Sequence, residues 1–185
     1  MKKLLVLLFS FFLLSSPSVF ADDISDFEIE GISIGDSLLD YMTEEEILKE
    51  IELNKDDLSF FIKNNSTYQY VTDKNEKYTI ETVSGSIDFI EDFDSCILNR
   101  DEISKIISSM FPNAQKREYV FAHNADPSGN SIIDGIDFTF DLGAEIDTYC
   151  SNHEETFRIK MDWNEGLNVN ISSAETSFWL ANVNK

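Results

Sequence analysis

The chain begins Met1-Lys2-Lys3 and runs at once into an apolar stretch, Leu4 to Leu14, broken only by Ser10. Ser15, Ser16, Pro17 and Ser18 end that stretch, and Val19-Phe20-Ala21 follows. A short basic head, an apolar core too brief to span a bilayer, and small residues three and one before a cut mark a secretory signal. Cleavage is expected after Ala21, so that residues 1–21 are a signal peptide and residues 22–185 a single acidic domain. Export limits what those residues can fold into. Cys96 and Cys150 are the two cysteines of the chain, and an even number in an oxidising compartment is expected to pair. Only one intramolecular pairing exists. It would close a loop of about 55 residues, for which chain entropy suggests on the order of 4 kcal/mol. The spacing is too long for a redox C-x-x-C, two thiols alone make a poor metal site, and the alternative is two buried free thiols.

The domain behind the signal keeps 11 of the 15 phenylalanines, both tryptophans and all six tyrosines. It can therefore build a core despite its charge. The full chain carries a net charge of −21, and loss of Lys2 and Lys3 takes this to −23. Such a field repels nucleic acid and anionic lipid and attracts cations or a basic partner. Its plainer reading is a well-solvated surface. No stretch after the signal is long and apolar enough to span a bilayer, and no cysteine at position 22 offers a lipid anchor.

Phe27 to Ile34 alternates around Gly31 as one or two short strands, and Asp36 or Ser37 can cap a short helical piece. Thr43 and Glu46 form a capping box ahead of a helix with Ile47, Leu48 and Ile51 on its apolar side. Asn54 to Asp57 breaks that helix, and Leu58, Phe60, Phe61 and Ile62 are left without a clear period. Residues 67–90 read as a hairpin turning at Asp73-Lys74-Asn75-Glu76. The clearest helix is Asp101 to Met110, capped by Asn99, with Ile103, Ile106, Ile107 and Met110 as one stripe and Pro112 as its stop.

The texture then turns to β. Tyr119–Phe121, Ile132–Phe140 and Ile146–Cys150 are expected strands. Phe157 to Trp163 alternates most cleanly of all, and with Leu167, Val169 and Ile171 it predicts a hairpin turning at Asn164-Glu165-Gly166. Ala174 to Ala181 is either a last strand or one helical turn. The sum is an α+β domain: an antiparallel sheet of about six to eight strands, about two helices on one face, and one disulfide.

Chemical signals are sparse. Asn124, Asp126 and Ser128 stand where the first three oxygens of a calcium loop would stand, with Gly129 as its glycine. The twelfth position, however, is Gly135 and not glutamate, and the same residue types make ordinary polar turns. Calcium is the one cofactor the sequence suggests, and weakly. His123 and His153 are the only histidines. Neither belongs to a metal motif, and each reads as a lone loop histidine. Nucleophile elbows and phosphate loops are absent. Carboxylates are too abundant for a close pair in sequence to mean anything. Trp163, Phe178 and Trp179, with Tyr149, would form a binding patch if exposed and a sheet core if buried.

The opening Phe27 to Leu38, with Gly85-Ser86-Ile87, Phe93-Asp94-Ser95-Cys96 and Met110-Phe111-Pro112-Asn113, resembles small exported proteins of marine alphaproteobacteria. The strand, glycine and short-helix opening also distantly resembles the repeat of outer-membrane assembly lipoproteins and beta-lactamase inhibitory proteins. This chain departs from the latter in lacking their lipid-anchor cysteine and in the shortness of its helix. The resemblance implies a binding role without naming a partner. The expected function is thus a noncatalytic periplasmic or secreted binding or accessory protein, its partner a basic protein or cationic ligand. The alternatives are a calcium-stabilised structural protein and a small hydrolase using carboxylates and a histidine.

Overall fold

The structure, a computed structural model, describes residues 23–53, 67–70 and 78–183. The signal segment, the break and apolar run between residues 54 and 66, and the turn at 73–76 lie outside the described residues. Two 3₁₀ turns, Ile24–Asp26 and Leu38–Asp40, precede α1 (Glu44–Leu53). Then come β1 (Thr67–Tyr70), β2 (Thr82–Asp88), α2 (Phe93–Met110), β3 (Gln115–Ala122), β4 (Ile132–Thr139), β5 (Glu145–Asn152), α3 (Glu155–Met161), β6 (Gly166–Ser172) and α4 (Ala174–Val183). The strands form one antiparallel sheet in the order β1-β2-β6-β5-β4-β3. Five strands are seven or eight residues long, and the four-residue β1 lengthens one edge. The α+β architecture and the disulfide are as expected. The described helices number four instead of two.

The capping box of α1 forms. Thr43 N donates to Glu46 Oε2 at 2.9 Å, and Glu46 N donates to Thr43 Oγ1 at 3.4 Å. The first expected strands are reduced to a single tight bridge between Ile29 and Ile32. The largest helix begins well before Asp101. Asp92 caps it by accepting from Ser95 N, and its buried side is Cys96, Arg100, Ser104 and Ile107. Ile106 is exposed. Two of the buried residues are polar and find partners on the sheet, which hid the stripe from a hydrophobic reading. Ser104 Oγ lies 3.2 Å from Thr148 Oγ1, and Arg100 pairs with Asp134 and Asp101.

The β2–β3 connection must cross from one side of the sheet to the far edge. The 18 residues of α2, about 27 Å of helix, do so diagonally over one face. Cys96 on α2 bonds Cys150 on β5 and locks that crossing. On the helix side, Val83, Ile136, Phe138, Ile146 and Ile171 meet Ile107, Phe111, Ile47 and the N-terminal residues Ile32, Ile34 and Leu38 in one core.

The best sequence signal for a strand fails. Residues 155–161 are helix α3, capped by Glu154, whose side chain accepts from Phe157 N. Strand β6 is hydrogen-bonded to β5 on one edge and β2 on the other, so no edge is left for a 157–163 partner. Phe157 is buried, but Ile159 is 65% exposed, so the alternation does not mark a buried strand face. The C-terminal segment is also helical, as the three-turn α4.

Candidate functional site

The three-strand meander β3-β4-β5 brings two loops to one end of the sheet. Ala122 pairs with Ile132, and Ile132 pairs with Asn152. His123 and His153 therefore each stand one residue past the same row and meet over the end of β4. Their ring centroids are 5.6 Å apart. Trp163 packs on both, at 4.9 Å from His123 and 5.4 Å from His153. Phe157 closes the cluster from below, edge-on to Trp163 at 5.4 Å. Trp163 is turned into place by Asp162, whose left-handed φ of 54° ends α3 and lets Trp163 N donate to Arg158 O.

Glu165 joins the loops at this end. It is buried. Its Oε1 accepts from His153 N at 3.0 Å, its Oε2 from Glu91 N at 3.2 Å, and its carbonyl from Phe89 N at 3.0 Å. Gly166 follows because nothing larger fits. A Cβ there would lie 2.1 Å from Ile87 O. The cleft these residues form has a volume of about 420 Å³, within the range of small-molecule sites. Its walls include Trp163, Tyr149, His123 and His153; its polar lining includes Ser86, Asn168, Asp88, Asp162 and Glu165; among the described residues no lysine or arginine lines it. His153 is only 8% exposed, and among the described residues its Nδ1 has no hydrogen-bond partner. Burial, with His123 alongside, lowers the His153 pKa against the opposing pull of Glu165, so this ring is neutral at neutral pH.

The cleft opens onto the sheet face opposite α2. Cross-strand register lays that face out in rows. One row reads Tyr119, Gly135, Tyr149, Asn168, Ser86 from β3 to β2. The next reads Arg117, Asp137, Asp147, Asn170, Ser84. The Tyr119 ring lies flat over Gly135, where a Cβ would stand 2.3 Å from the ring. Its hydroxyl thereby reaches across β4 to Asp147 Oδ1 at 2.7 Å. Arg117 pairs with Asp137 Oδ2. Burial pushes the Asp147 carboxyl up to about 6; the Tyr119 hydrogen bond opposes this, and Asp137 and Glu145 reinforce it. Burial, then Asp137, likewise raises Glu145.

The structure brings together two of the four aromatic residues singled out in the sequence. Trp163 and Tyr149 share the cleft. Phe178 is 74% exposed on α4 and does not line it, and the side chain of Trp179 lies outside the described residues. Of the residues proposed for calcium, Asp126 is turned inward and occupied. It accepts from Ser128 N and Oγ and from Ser131 N and Oγ, at 2.7 to 2.9 Å. Burial opposes those bonds, but they hold its carboxyl well below the usual range. Asn124 is exposed beside it. Among the described residues there is no group of three or more His, Cys, Asp or Glu side chains that could hold a metal. The histidine pair was missed in sequence because each ring was weighed alone, and Glu165 because it was read only as part of a turn. The signal that could have found them is the common end of β3 and β5.

No family model, curated protein or solved structure matches this chain.

Proposed function

We propose that this is a noncatalytic binding protein, periplasmic or secreted, whose cleft receives the cationic group of a ligand. One observation carries the reading: the cleft combines aromatic walls, Trp163 and Tyr149, with three carboxylates and, among the described residues, no lysine or arginine. A ring face attracts a cation electrostatically, and partial desolvation strengthens the attraction. The net charge of the chain, −21, works in the same direction at long range. The test is calorimetric titration with n-butylammonium, butanol and butyrate. The cation is expected to bind and the neutral and anionic probes are not, and Trp163→Ala is expected to abolish the heat. Equal binding of butanol would remove the electrostatic basis of the reading.

A small hydrolase is a second reading, favoured by the meeting of His123 and His153. Against it, both Glu165 oxygens already accept backbone N–H groups. His123 Nδ1 likewise accepts from Ala125 N. The Ser151 hydroxyl exchanges hydrogen bonds with Gly166. These groups are committed to holding the loops.

A further inference from the structure

Beyond the cleft, the sheet face opposite α2 carries a second set of acidic groups that the described residues leave under-compensated. Along β5 the residues on this face are Ser151, Tyr149, Asp147 and Glu145, and the first two line the cleft. Same-face neighbours on a strand are spaced by about 7 Å. Asp147 and Glu145 therefore continue outward from the cleft in two such steps. Asp137 stands directly opposite Asp147 on β4. On this face of β2–β6 the only basic residue is Arg117, and it is bound to one oxygen of Asp137. Asp137 is more than nine-tenths buried, yet among the described residues its Oδ1 has no hydrogen-bond partner. Among the described residues, three carboxylates thus face one guanidinium, and one buried oxygen lacks a donor. In the cleft, the buried His153 Nδ1 is likewise without a partner.

We propose that the ligand is a linear oligoamine: one ammonium group is seated in the cleft against Trp163 and Tyr149, and the next is held on the sheet face opposite α2 by Asp147 and Glu145. The proposal rests on the cation reading of the cleft and adds a second contact to it. Aliphatic spacers suit the route, since the path from Tyr149 to Asp147 runs between the Tyr119 ring and the amide side chains Asn168 and Asn170. A second ammonium group joined to the first binds as an intramolecular event, so affinity rises without any change in the cleft.

The test is titration of the mature protein with n-butylamine, putrescine and spermidine at physiological ionic strength. Spermidine is expected to bind at least roughly tenfold more tightly than butylamine. Asp147→Asn should weaken spermidine by about tenfold, as for loss of one charge-assisted bond, and leave butylamine unchanged. Glu145→Gln should act in the same direction, so a folding failure of one variant still leaves a test. Glu102→Gln, on an exposed position of α2 across the sheet, makes the same charge change elsewhere and should alter nothing. Equal affinity for butylamine and spermidine would overturn the second contact and leave the cleft reading standing. So would an equal loss with Glu102→Gln, which would show only a diffuse field. Tighter binding of a tri-lysine peptide than of spermidine would move the assignment from small amines to peptides and overturn it too. No binding of butylamine would bring down the cleft reading itself.

Discussion

Asp147→Asn should stabilise the unliganded protein at neutral pH. In the fold the Asp147 carboxyl is raised from an ordinary 3.8 to about 6, chiefly by burial. Keeping it ionised at pH 7.5 therefore opposes folding, by roughly 3 kcal/mol at about 1.4 kcal/mol per pH unit. Water still reaches part of the side chain, so about 1–3 kcal/mol is the expected gain when asparagine removes the charge. Asparagine has the same shape, and its carbonyl can still accept from the Tyr119 hydroxyl, so the packing over Gly135 is kept. The sign depends on pH. Between about pH 4 and 6 the folded protein holds the Asp147 proton more tightly than the unfolded chain, so stability falls as pH rises through that window. The advantage of the variant should be fully present at pH 7.5 and cut to about a third at pH 4.5. For a domain of this size it corresponds to about 3–10 °C in melting temperature. Thermal melts followed by circular dichroism at the two pH values measure it directly. A variant that is less stable at pH 7.5, or shifted equally at both, would refute the account of Asp147 as a desolvated, poorly compensated charge. A residue that costs stability yet supports ligand binding is what a functional site would show.

Replacing Cys96 and Cys150 together by alanine should cost about 4 kcal/mol, read by urea unfolding, because α2 would lose its covalent tie to β5. His153 has a lowered pKa, so the unfolded chain takes up its proton first, and stability should drop as pH falls below about 6.5; comparing the native protein with His153→Gln across that range isolates the effect, and an identical pH profile would count against it. Gly135→Ala should displace the Tyr119 ring and break its bond to Asp147, at about 2 kcal/mol, with a change in the near-ultraviolet tyrosine signal.

Much of the local structure was legible. Thr43 and Glu46 announce α1 because capping needs only neighbours. Strands β4 and β5 and the inner face of β6 show as runs or alternations, because a strand between a core and a wetter face writes its period into the sequence. The cysteine pair could join in only one way. Residues 157–163 mislead for the same reason that β6 does not: alternation reports a pattern of side chains but cannot report that both edges of the partner strand are taken. Helix α2 was read too short because Arg100 and Ser104 are buried against Asp134 and Thr148, groups supplied from far along the chain.

Of the candidate site, the aromatic walls Trp163 and Tyr149 were legible and the rest was not. His123, Glu165 and Trp163 come from separate connections, and His153 from the end of a strand whose register is set by long-range pairing. Charge balance, the α1 capping box, the sole cysteine pairing and most strands were determined by the sequence itself, since each depends on composition or on residues close in the chain. The tertiary structure alone decided that two lone histidines meet over β4, that Tyr119 lies on Gly135 to reach Asp147, and that a cleft with no lysine or arginine among the described residues leads onto an acidic row. Those facts depend on which strand ends coincide, and that is settled by the packing of the whole sheet.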